Sequence, residues 1–268
     1  MPLAAVSSGN LTVPRGPTGG GAGRRLAGAR ADGPHPPQWG SMATSAARAA
    51  SPCDGCDARC CRSYTVHVTG ADAFRIARGT GLEPIEFLRY LRQEARTDTG
   101  FQLEAGGSTF DLILETARTD DPRKPCLFFR VDEATGEGRC GIYALRPGAC
   151  RRFPAMRREG GGVGVRDGIV CPDGAWEGHP IDRLSWRVAL EREGRDAELY
   201  AVVVGEWNAR VEAAPRRAPR TFEQYLDHLA DAYRWISQLR QGLGPRGVAG
   251  PALLLRVGEA LRELPSPW

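Results

Sequence analysis

Cysteine is the residue type in this chain that is best suited to metal chemistry. The chain has eight cysteines, which are Cys53, Cys56, Cys60, Cys61, Cys126, Cys140, Cys150 and Cys171. The first four form a Cys-x2-Cys-x3-Cys-Cys run, in which a two-residue gap lets two thiolates reach one ion from a tight turn. Proline or glycine lies close to most of the eight, which indicates rigid turns that hold sulfurs at fixed points. The pattern makes all eight candidate metal ligands.

Two other uses of the cysteines have to be weighed against metal binding. Eight cysteines could form four disulfides, but the chain is large for a disulfide-stapled domain and shows no export signal. Free cysteine is also often a small buried hydrophobe, yet chance placement does not produce the run from Cys53 to Cys61. A thiolate metal site is therefore the favoured interpretation.

The residue types leave the identity of the metal open. Structural zinc takes four ligands in a tetrahedron, and iron–sulfur clusters also take four thiolates. Eight cysteines could fill two such sites, or one site plus redox or structural thiols. Adjacent cysteines cannot easily chelate one ion, so Cys60 and Cys61 serve different metals or only one of them is a ligand. His67 is an alternative fourth ligand for a zinc site with three cysteines.

The spacing around the later cysteines is specific enough to resemble a family. Cys140-x-Ile-Tyr-x2-Arg-Pro-x2-Cys150-Arg-x-Phe-Pro, together with the first run and Pro125-Cys126, resembles the YkgJ family of cysteine-cluster proteins over about residues 50–175. That family is described as zinc- or iron-chelating and often as containing an iron–sulfur cluster. The resemblance implies that the seven motif cysteines, and Cys171 in a trailing Cys-Pro, bind a 4Fe–4S cluster or zinc.

Three polar residues within the same motif are candidates for supporting the ligands. Tyr143, Arg146 and Arg151 lie between or beside Cys140 and Cys150. Hydrogen bonds from such neighbours orient thiolates and tune a metal centre, and cationic neighbours favour the thiolate form. We therefore predict that these three residues lie around the bound metal or cluster.

The cysteine pattern is also similar to that of flagellin lysine N-methylases, which raises the possibility of an enzyme. No glycine-rich fingerprint follows a strand to mark a nucleotide or S-adenosylmethionine pocket. The run Gly160–Gly162 lies between two predicted strands and reads as a hairpin turn. No catalytic residue is therefore assigned.

Charge and hydropathy exclude two classes of partner. The formal net charge of +4 is contained in residues 1–50, and a nucleic-acid binder usually has a basic domain instead. The longest apolar runs fall far short of the roughly 20 residues that a bilayer requires. We expect a cytoplasmic protein with neither partner. Lys124 is the only lysine among 36 basic residues, which indicates a GC-rich, bacterial genome.

Composition divides the chain into three parts. Residues 1–50 are rich in Gly, Ala, Pro and Arg and are predicted to be disordered; Met42 is a plausible true start. Residues 51–175 form the predicted cysteine module, and residues 176–268 form a helical region.

The residue periodicity predicts an α+β fold with short antiparallel strands. Helices are predicted at 71–78, capped by Thr69, and at 83–96. A strand is predicted at 108–116, a hairpin at 127–131 and 139–143, and another strand near 163–170. From about 181 onwards the pattern is helical, with helices at 222–242, begun by a Thr221–Gln224 capping box, and at 253–264. Apolar residues recur at i+3 and i+4 along the first of these helices and predict a stripe that faces the core: Phe222, Tyr225, Leu226, Leu229, Tyr233, Ile236 and Leu239.

Three functions are consistent with the sequence. The first is a metal-binding protein that holds an iron–sulfur cluster or zinc. The second is a protein-modifying or redox enzyme that depends on the cluster. The third is a zinc-stapled interaction module, in which the C-terminal helices dock a protein partner.

Overall fold

The computed structural model describes residues 52–53, 56–117, 124–132, 134, 136–213, 220–242 and 251–263. The helices are α1 (Arg59–Ser63), α2 (Gly70–Thr80), α3 (Pro84–Phe87), α4 (Gly148–Arg152), α5 (Arg183–Ala213), α6 (Phe222–Gly242) and α7 (Pro251–Glu263). The strands are β1 (Leu88–Arg92), β2 (Phe101–Gln102), β3 (Thr109–Leu114), β4 (Phe129–Val131), β5 (Gly138–Cys140), β6 (Ala155–Arg157) and β7 (Val163–Val165). The predicted α+β class is confirmed. The predictions for residues 1–50, including the start at Met42, lie outside the described residues.

Helix α2 begins and ends where the sequence predicts. The Thr69 side chain accepts a hydrogen bond from the Asp72 backbone N–H at 3.3 Å, and the Asp72 carboxylate accepts one from the Thr69 backbone N–H at 3.2 Å. This reciprocal pair is a capping box that satisfies two backbone donors at the helix start. Gly81 follows the helix with a left-handed backbone (φ 75°), which ends it.

The predicted helix over 83–96 is wrong beyond its first turn. Helix α3 stops at Phe87 and the chain continues as β1, which pairs antiparallel with β3 along its whole length. Ile85, Leu88 and Leu91 recur at helical spacing and favoured a helix, but only Leu88 is buried, whereas Ile85 and Leu91 are 48% and 45% exposed. Pairing with β3 instead provides hydrogen-bond partners for the backbone of β1. It also packs Tyr90 edge-on against Phe110, with ring centroids 5.1 Å apart.

Three small antiparallel sheets carry the rest of the N-terminal half. The first has the order β1-β3-β2, and the other two are the hairpins β4-β5 and β6-β7. Residues 66–68 run beside β3, with the Val68 N–H donating to the Leu112 carbonyl at 3.0 Å. The predicted strand at 108–116 and both predicted hairpins are present, and residues 159–161 form the turn between β6 and β7. The second arm of the β4-β5 hairpin ends at Cys140, three residues before the predicted end at Tyr143.

Among the three long helices of the C-terminal part, α5 packs against α6, α7 and strand β2 of the first sheet. Trp207 of α5 donates its indole N–H to the Gln102 carbonyl of β2 at 2.6 Å. Tyr225 of α6 stacks on Phe101 with ring centroids 3.8 Å apart. Its hydroxyl is 2.7 Å from that of Tyr200 in the buried interior. Residues from the sheet, α2 and these helices therefore share one hydrophobic core.

Helix α6 spans the predicted range and carries the predicted core stripe. The members of the stripe that are buried are Phe222, Tyr225, Leu226, Leu229, Tyr233 and Ile236. The Thr221–Gln224 capping box is also present, with hydrogen bonds of 2.9 Å and 3.2 Å. No helix in the described ranges is both long enough and apolar enough to cross a bilayer.

Candidate metal centre

The first cysteine run is held close to the later cysteines by backbone contacts. Cys60 and Cys61 lie in the one-turn helix α1, which Ala58 enters with a left-handed backbone (φ 56°). A non-glycine residue in that region is strained, and such strain often occurs at functional sites. The backbone N–H of Cys126 donates to the carbonyl of Cys61 at 2.8 Å. This bond fixes the second cysteine segment directly beside the first.

The β4-β5 hairpin brings Cys140 to the same place. Cys140 is the last residue of β5 and pairs with Phe129 of β4. Gly138, at the start of β5, lies so close to the first run that a Cβ there would be 2.7 Å from the Asp57 carbonyl oxygen. A glycine is therefore required for the hairpin to approach the segment between Cys56 and Cys60.

Helix α4, which contains Cys150, is anchored at both ends. The backbone N–H of Gly148 at its start donates to Asp72 of α2 at 3.0 Å. At its end, Arg152 forms an ion pair with Glu193 of α5. Because both partners belong to longer helices, the core of the protein determines where the Cys150 thiol lies.

Seven of the eight cysteines, all except Cys171, line one cavity of about 1400 Å³. The cavity lies between the cysteine segments, residues Leu112 and Leu114 of the central strand β3, and the α5 residues Leu190 and Tyr200. Cys53 is exposed and the other six cavity-lining cysteines are partly buried. None of the eight cysteines forms a disulfide, as expected for a thiolate site.

Electrostatic coupling connects five of the cavity-lining cysteines, which we call the inner cysteines: Cys60, Cys61, Cys126, Cys140 and Cys150. The Cys61 thiol donates a hydrogen bond to Cys60, which lowers the pKa of Cys60 and raises that of Cys61. Burial further raises the pKa of Cys61, and so do the charges of Cys126 and Cys140. Cys60 is therefore the thiol of this adjacent pair that ionises first.

The other three inner cysteines resist ionisation. Burial is the main cause that raises the pKa of Cys126, of Cys140 and of Cys150, the last to about 12. Negative charge on neighbouring thiolates raises all three further, with Cys60 acting on each of them. Several thiolates can coexist here only if a cation offsets their charge, which is the environment that a metal ion or cluster supplies.

Two of the three predicted supporting residues lie at the cavity. Arg146 and Tyr143 both line it, with the Arg146 guanidinium carbon 3.7 Å from the centroid of the Tyr143 ring. The charge of Arg146 favours the thiolate and lowers the pKa of Cys60, Cys140 and Cys150 against the other causes.

Arg151 lies elsewhere. It is not among the residues that line the cavity. Burial first, and then the charges of Arg75 and Arg192, lower the pKa of its guanidinium, so it lies on the side of α4 that faces α2 and α5. Its predicted role next to the metal stays a prediction.

His67 lies in the wall of the cavity. Its Nδ1 atom is 3.4 Å from Oδ2 of Asp111, and its side chain is 55% exposed. The other two histidines of the described region are apart from the cysteines: His179 contacts Trp176 edge-on, and His228 is buried in the helical core.

The sulfurs share a cavity but do not form a preassembled site for a single ion. Among the described residues, no group of three or more His, Cys, Asp or Glu side chains is already arranged to hold an ion. The donor set nevertheless fits a soft metal, since five coupled thiols converge from four separate segments. Which of these cysteines are ligands stays a prediction.

Sequence reasoning missed the residue that organises this region. Asp72 is 3% exposed and contacts Thr69, Arg75 and Gly148 through its two carboxylate oxygens. The Thr69-x2-Asp72 spacing is a capping-box signal and could have identified the helix start. The contact with Gly148, 76 residues further along the chain, leaves no local signal.

Comparison with known proteins supports metal binding by the cysteine segment. Residues 52–171 match the sequence model of the CxxCxxCC family, described as a "Putative zinc- or iron-chelating domain". The matched range begins one residue before Cys53 and ends at Cys171, so it contains all eight cysteines. No curated protein and no solved structure matches the chain.

Proposed function

We propose that this chain is a metal-binding protein that holds an iron–sulfur cluster through thiolates of its inner cysteines. The observation that carries the proposal is the convergence of five coupled thiols on one cavity. They are Cys60, Cys61, Cys126, Cys140 and Cys150. The zinc- or iron-chelating description of the matched family supports the same chemistry.

The origin of the inner thiols in four separate segments, together with the family resemblance, is our reason for proposing a cluster before one ion. Four zinc ligands must all lie about 2.3 Å from a single point, and the described side chains include no such group of three. A cluster has several irons, so its thiolate ligands stand further apart. The YkgJ-like spacing around Cys140 and Cys150 is consistent with this choice, because that family is often described as containing a cluster.

Zinc is the second candidate. Cys60 and Cys61 are adjacent and cannot easily bind the same ion, and only Cys60 readily becomes a thiolate. Without Cys61, four inner cysteines remain as zinc ligands: Cys60, Cys126, Cys140 and Cys150. A tetrahedral all-cysteine site needs four ligands. Zinc binding would require these side chains to rotate towards a common point.

The decisive experiment is metal analysis of the full chain purified without oxygen. Iron and acid-labile sulfide in equal amounts, with broad visible absorption, would support the cluster. A colourless protein that contains one or two zinc ions would show that the bound metal is zinc and not an iron–sulfur cluster. A protein that retains neither metal after anaerobic reconstitution with each of them would contradict the proposal.

Single substitutions then test which cysteines hold the metal. Cys126→Ser, Cys140→Ser and Cys150→Ser each remove one inner thiol and are expected to lower the metal content to below half. Cys171→Ser is the matched comparison, because Cys171 lies outside the cavity wall. Equal metal loss in Cys171→Ser would extend the ligand set to that residue. Unchanged metal content in all three inner variants would contradict this assignment.

All eight cysteines are free thiols, which fits a reducing compartment such as the cytoplasm of a bacterial cell.

The third function predicted from the sequence, docking of a partner by the C-terminal helices, cannot use the apolar stripe of α6, because that stripe is buried in the core. It would need another face of these helices.

A further inference from the structure

A second cavity, of about 350 Å³, lies away from the cysteines where α2, α5 and α6 meet. Three arginines line it, one from each helix: Arg75, Arg192 and Arg240. We call it the arginine cavity. Ala71, Phe74 and Ile236 supply apolar surface beside these charges. Concave sites that combine apolar walls with a few convergent polar groups are typical of small-molecule binding.

The positive charge of this cavity is only partly compensated. Arg75 is paired with Asp72 at 2.5 Å, but among the described residues Arg192 and Arg240 are within ion-pair distance of no carboxylate. The acidic residue of the cavity is Asp196. Burial raises the pKa of Asp196, while the charges of Arg192 and Arg240 oppose that rise. Three guanidinium groups thus surround a single half-buried acid.

Two buried hydrogen-bond donors in the wall of the cavity also lack an acceptor in the described structure. They are Nε of Arg75 and the hydroxyl of Tyr233, whose side chain is 97% buried (3% exposed). Burial raises the pKa of Tyr233 well above its usual range, so the hydroxyl stays protonated and can donate. A buried donor without a partner destabilises the folded protein. An acceptor brought by a ligand would remove that destabilisation.

We propose that the arginine cavity binds a small anion through a phosphate or carboxylate group. The planar guanidinium fork matches both groups in bidentate fashion. Arg192 and Arg240 at the exposed mouth attract the anion, and Tyr233 contacts it from the buried side. The cavity volume admits a small metabolite and not a polymer. This site is independent of the metal centre, although Arg75 also donates to the Arg146 carbonyl at 3.0 Å.

The test titrates the purified, metal-loaded chain with inorganic phosphate and, separately, with acetate. Ionic strength is held constant with sodium chloride, so that general screening does not contribute. Isothermal calorimetry is expected to show saturable binding at one site per chain. Binding of phosphate alone would identify a phosphate site, and binding of both anions with similar affinity would identify a carboxylate-tolerant site.

Matched variants connect that binding to the arginine cavity. Arg192→Ala/Arg240→Ala is expected to weaken phosphate binding by at least about tenfold, since it removes two charge-assisted contacts to the anion. Arg187→Ala/Arg234→Ala removes the same charge from the same two helices outside the cavity, and it is expected to change the affinity less than about twofold.

A third variant, Tyr233→Phe, removes only the buried hydroxyl. It is expected to weaken binding by about threefold to tenfold while the protein stays folded. The metal content of all these variants should equal that of the wild type, which separates this proposal from the metal centre. Equal loss of binding in the control pair, or no saturable binding of either anion to the wild type, would overturn it.

Discussion

Oδ1 of Asp72 accepts a hydrogen bond from the backbone N–H of Gly148, 3.0 Å away. The same oxygen is 2.5 Å from the guanidinium of Arg75, and Oδ2 accepts from Thr69. One buried carboxylate therefore begins α2, pairs with Arg75 and holds the start of α4. Because α4 contains Cys150, the position of this thiol depends on a residue that is far from it in the sequence.

Asp72→Asn tests this dependence. The amide has nearly the same size but no charge, so it leaves Arg75 largely buried without its partner. Breaking a buried ion pair by removing one member costs about 3 kcal/mol or more, and we expect that decrease in the free energy of unfolding. Denaturant unfolding followed by circular dichroism measures it. Metal release to a chelator should also become faster, because the N-terminus of α4 loses its anchor.

The matched control is Asp231→Asn, which removes an exposed carboxylate paired with Arg234 at 2.5 Å. Exposed pairs of this kind contribute about 0–1 kcal/mol, so the control should be close to the wild type in both measurements. Equal effects in the two variants would show that Asp72 acts only through surface charge, contrary to its buried position.

The parts of the fold that sequence predicted well are those with local signals. The cap at Thr69, the capping box at Thr221 and the stripe of α6 each follow from residues within a few positions of one another. Strand β1 was mistaken for a helix because its partner, β3, lies about 20 residues further along the chain. The burial that decides between strand and helix there arises only after the sheet has formed.

In the candidate site, too, the sequence predicted the features that have a local signal and missed those that depend on distant contacts. Cysteine spacing predicted eight ligands, which stay a prediction, and the structure brings seven of these eight cysteines to one cavity. The sequence did not reveal that Cys171 and Arg151 lie outside the cavity wall, nor that Asp72 anchors α4. These facts depend on contacts between distant segments, which one sequence does not encode as a local pattern.

Gly138→Ala should disturb the metal centre through backbone packing. A Cβ at this position would meet the Asp57 carbonyl oxygen at 2.7 Å and the Phe129 ring at the same distance. The β5 strand must then shift away from the first cysteine run, which we expect to cost about 1–3 kcal/mol in the free energy of unfolding. Metal content after purification should fall as well, because Cys140 moves with β5.

Gly205→Ala is the control for that substitution. Gly205 lies on the exposed side of α5, and no atom is within 4 Å of the Cβ that would be added. Alanine is the better helix former by about 1 kcal/mol, so the control should be slightly more stable than the wild type and bind the same amount of metal. A Gly138→Ala variant that behaved like Gly205→Ala would refute the close approach of β5 to Asp57.

Arg146→Met should weaken metal retention with little change in stability. Methionine keeps much of the apolar stem, while the positive charge that favours thiolates at Cys60, Cys140 and Cys150 is lost. We expect the rate of metal loss to a competing chelator to rise about tenfold. Arg89→Met, which breaks a surface pair with Glu115 at 3.1 Å, is the control for loss of one arginine. An unchanged rate in Arg146→Met would count against a role for this charge.

His228 should make the folded state sensitive to acid. Its side chain is 2% exposed, lies against Trp207 and donates to the Val203 carbonyl. Burial is the main cause that lowers its pKa from 6.5 to about 4, and the charge of Arg210 adds to it. The unfolded chain therefore takes up a proton below pH 6.5, whereas the native protein does so only below about pH 4.

Stability should fall with acidification through this window, because the unfolded state binds the extra proton. The destabilisation due to His228 is absent above pH 6.5, grows as the pH decreases and levels off below about pH 4. Its full size is about 3 kcal/mol. His228→Gln keeps a donor for the Val203 carbonyl but cannot titrate, so it isolates the effect from carboxylates that protonate in the same range. Unfolding free energies of both proteins, measured from pH 7.5 to 4.5, should diverge progressively, with the wild type losing more stability than the variant. Parallel curves would mean that His228 takes up its proton over the same pH range in the native and unfolded states, so that burial does not lower its pKa.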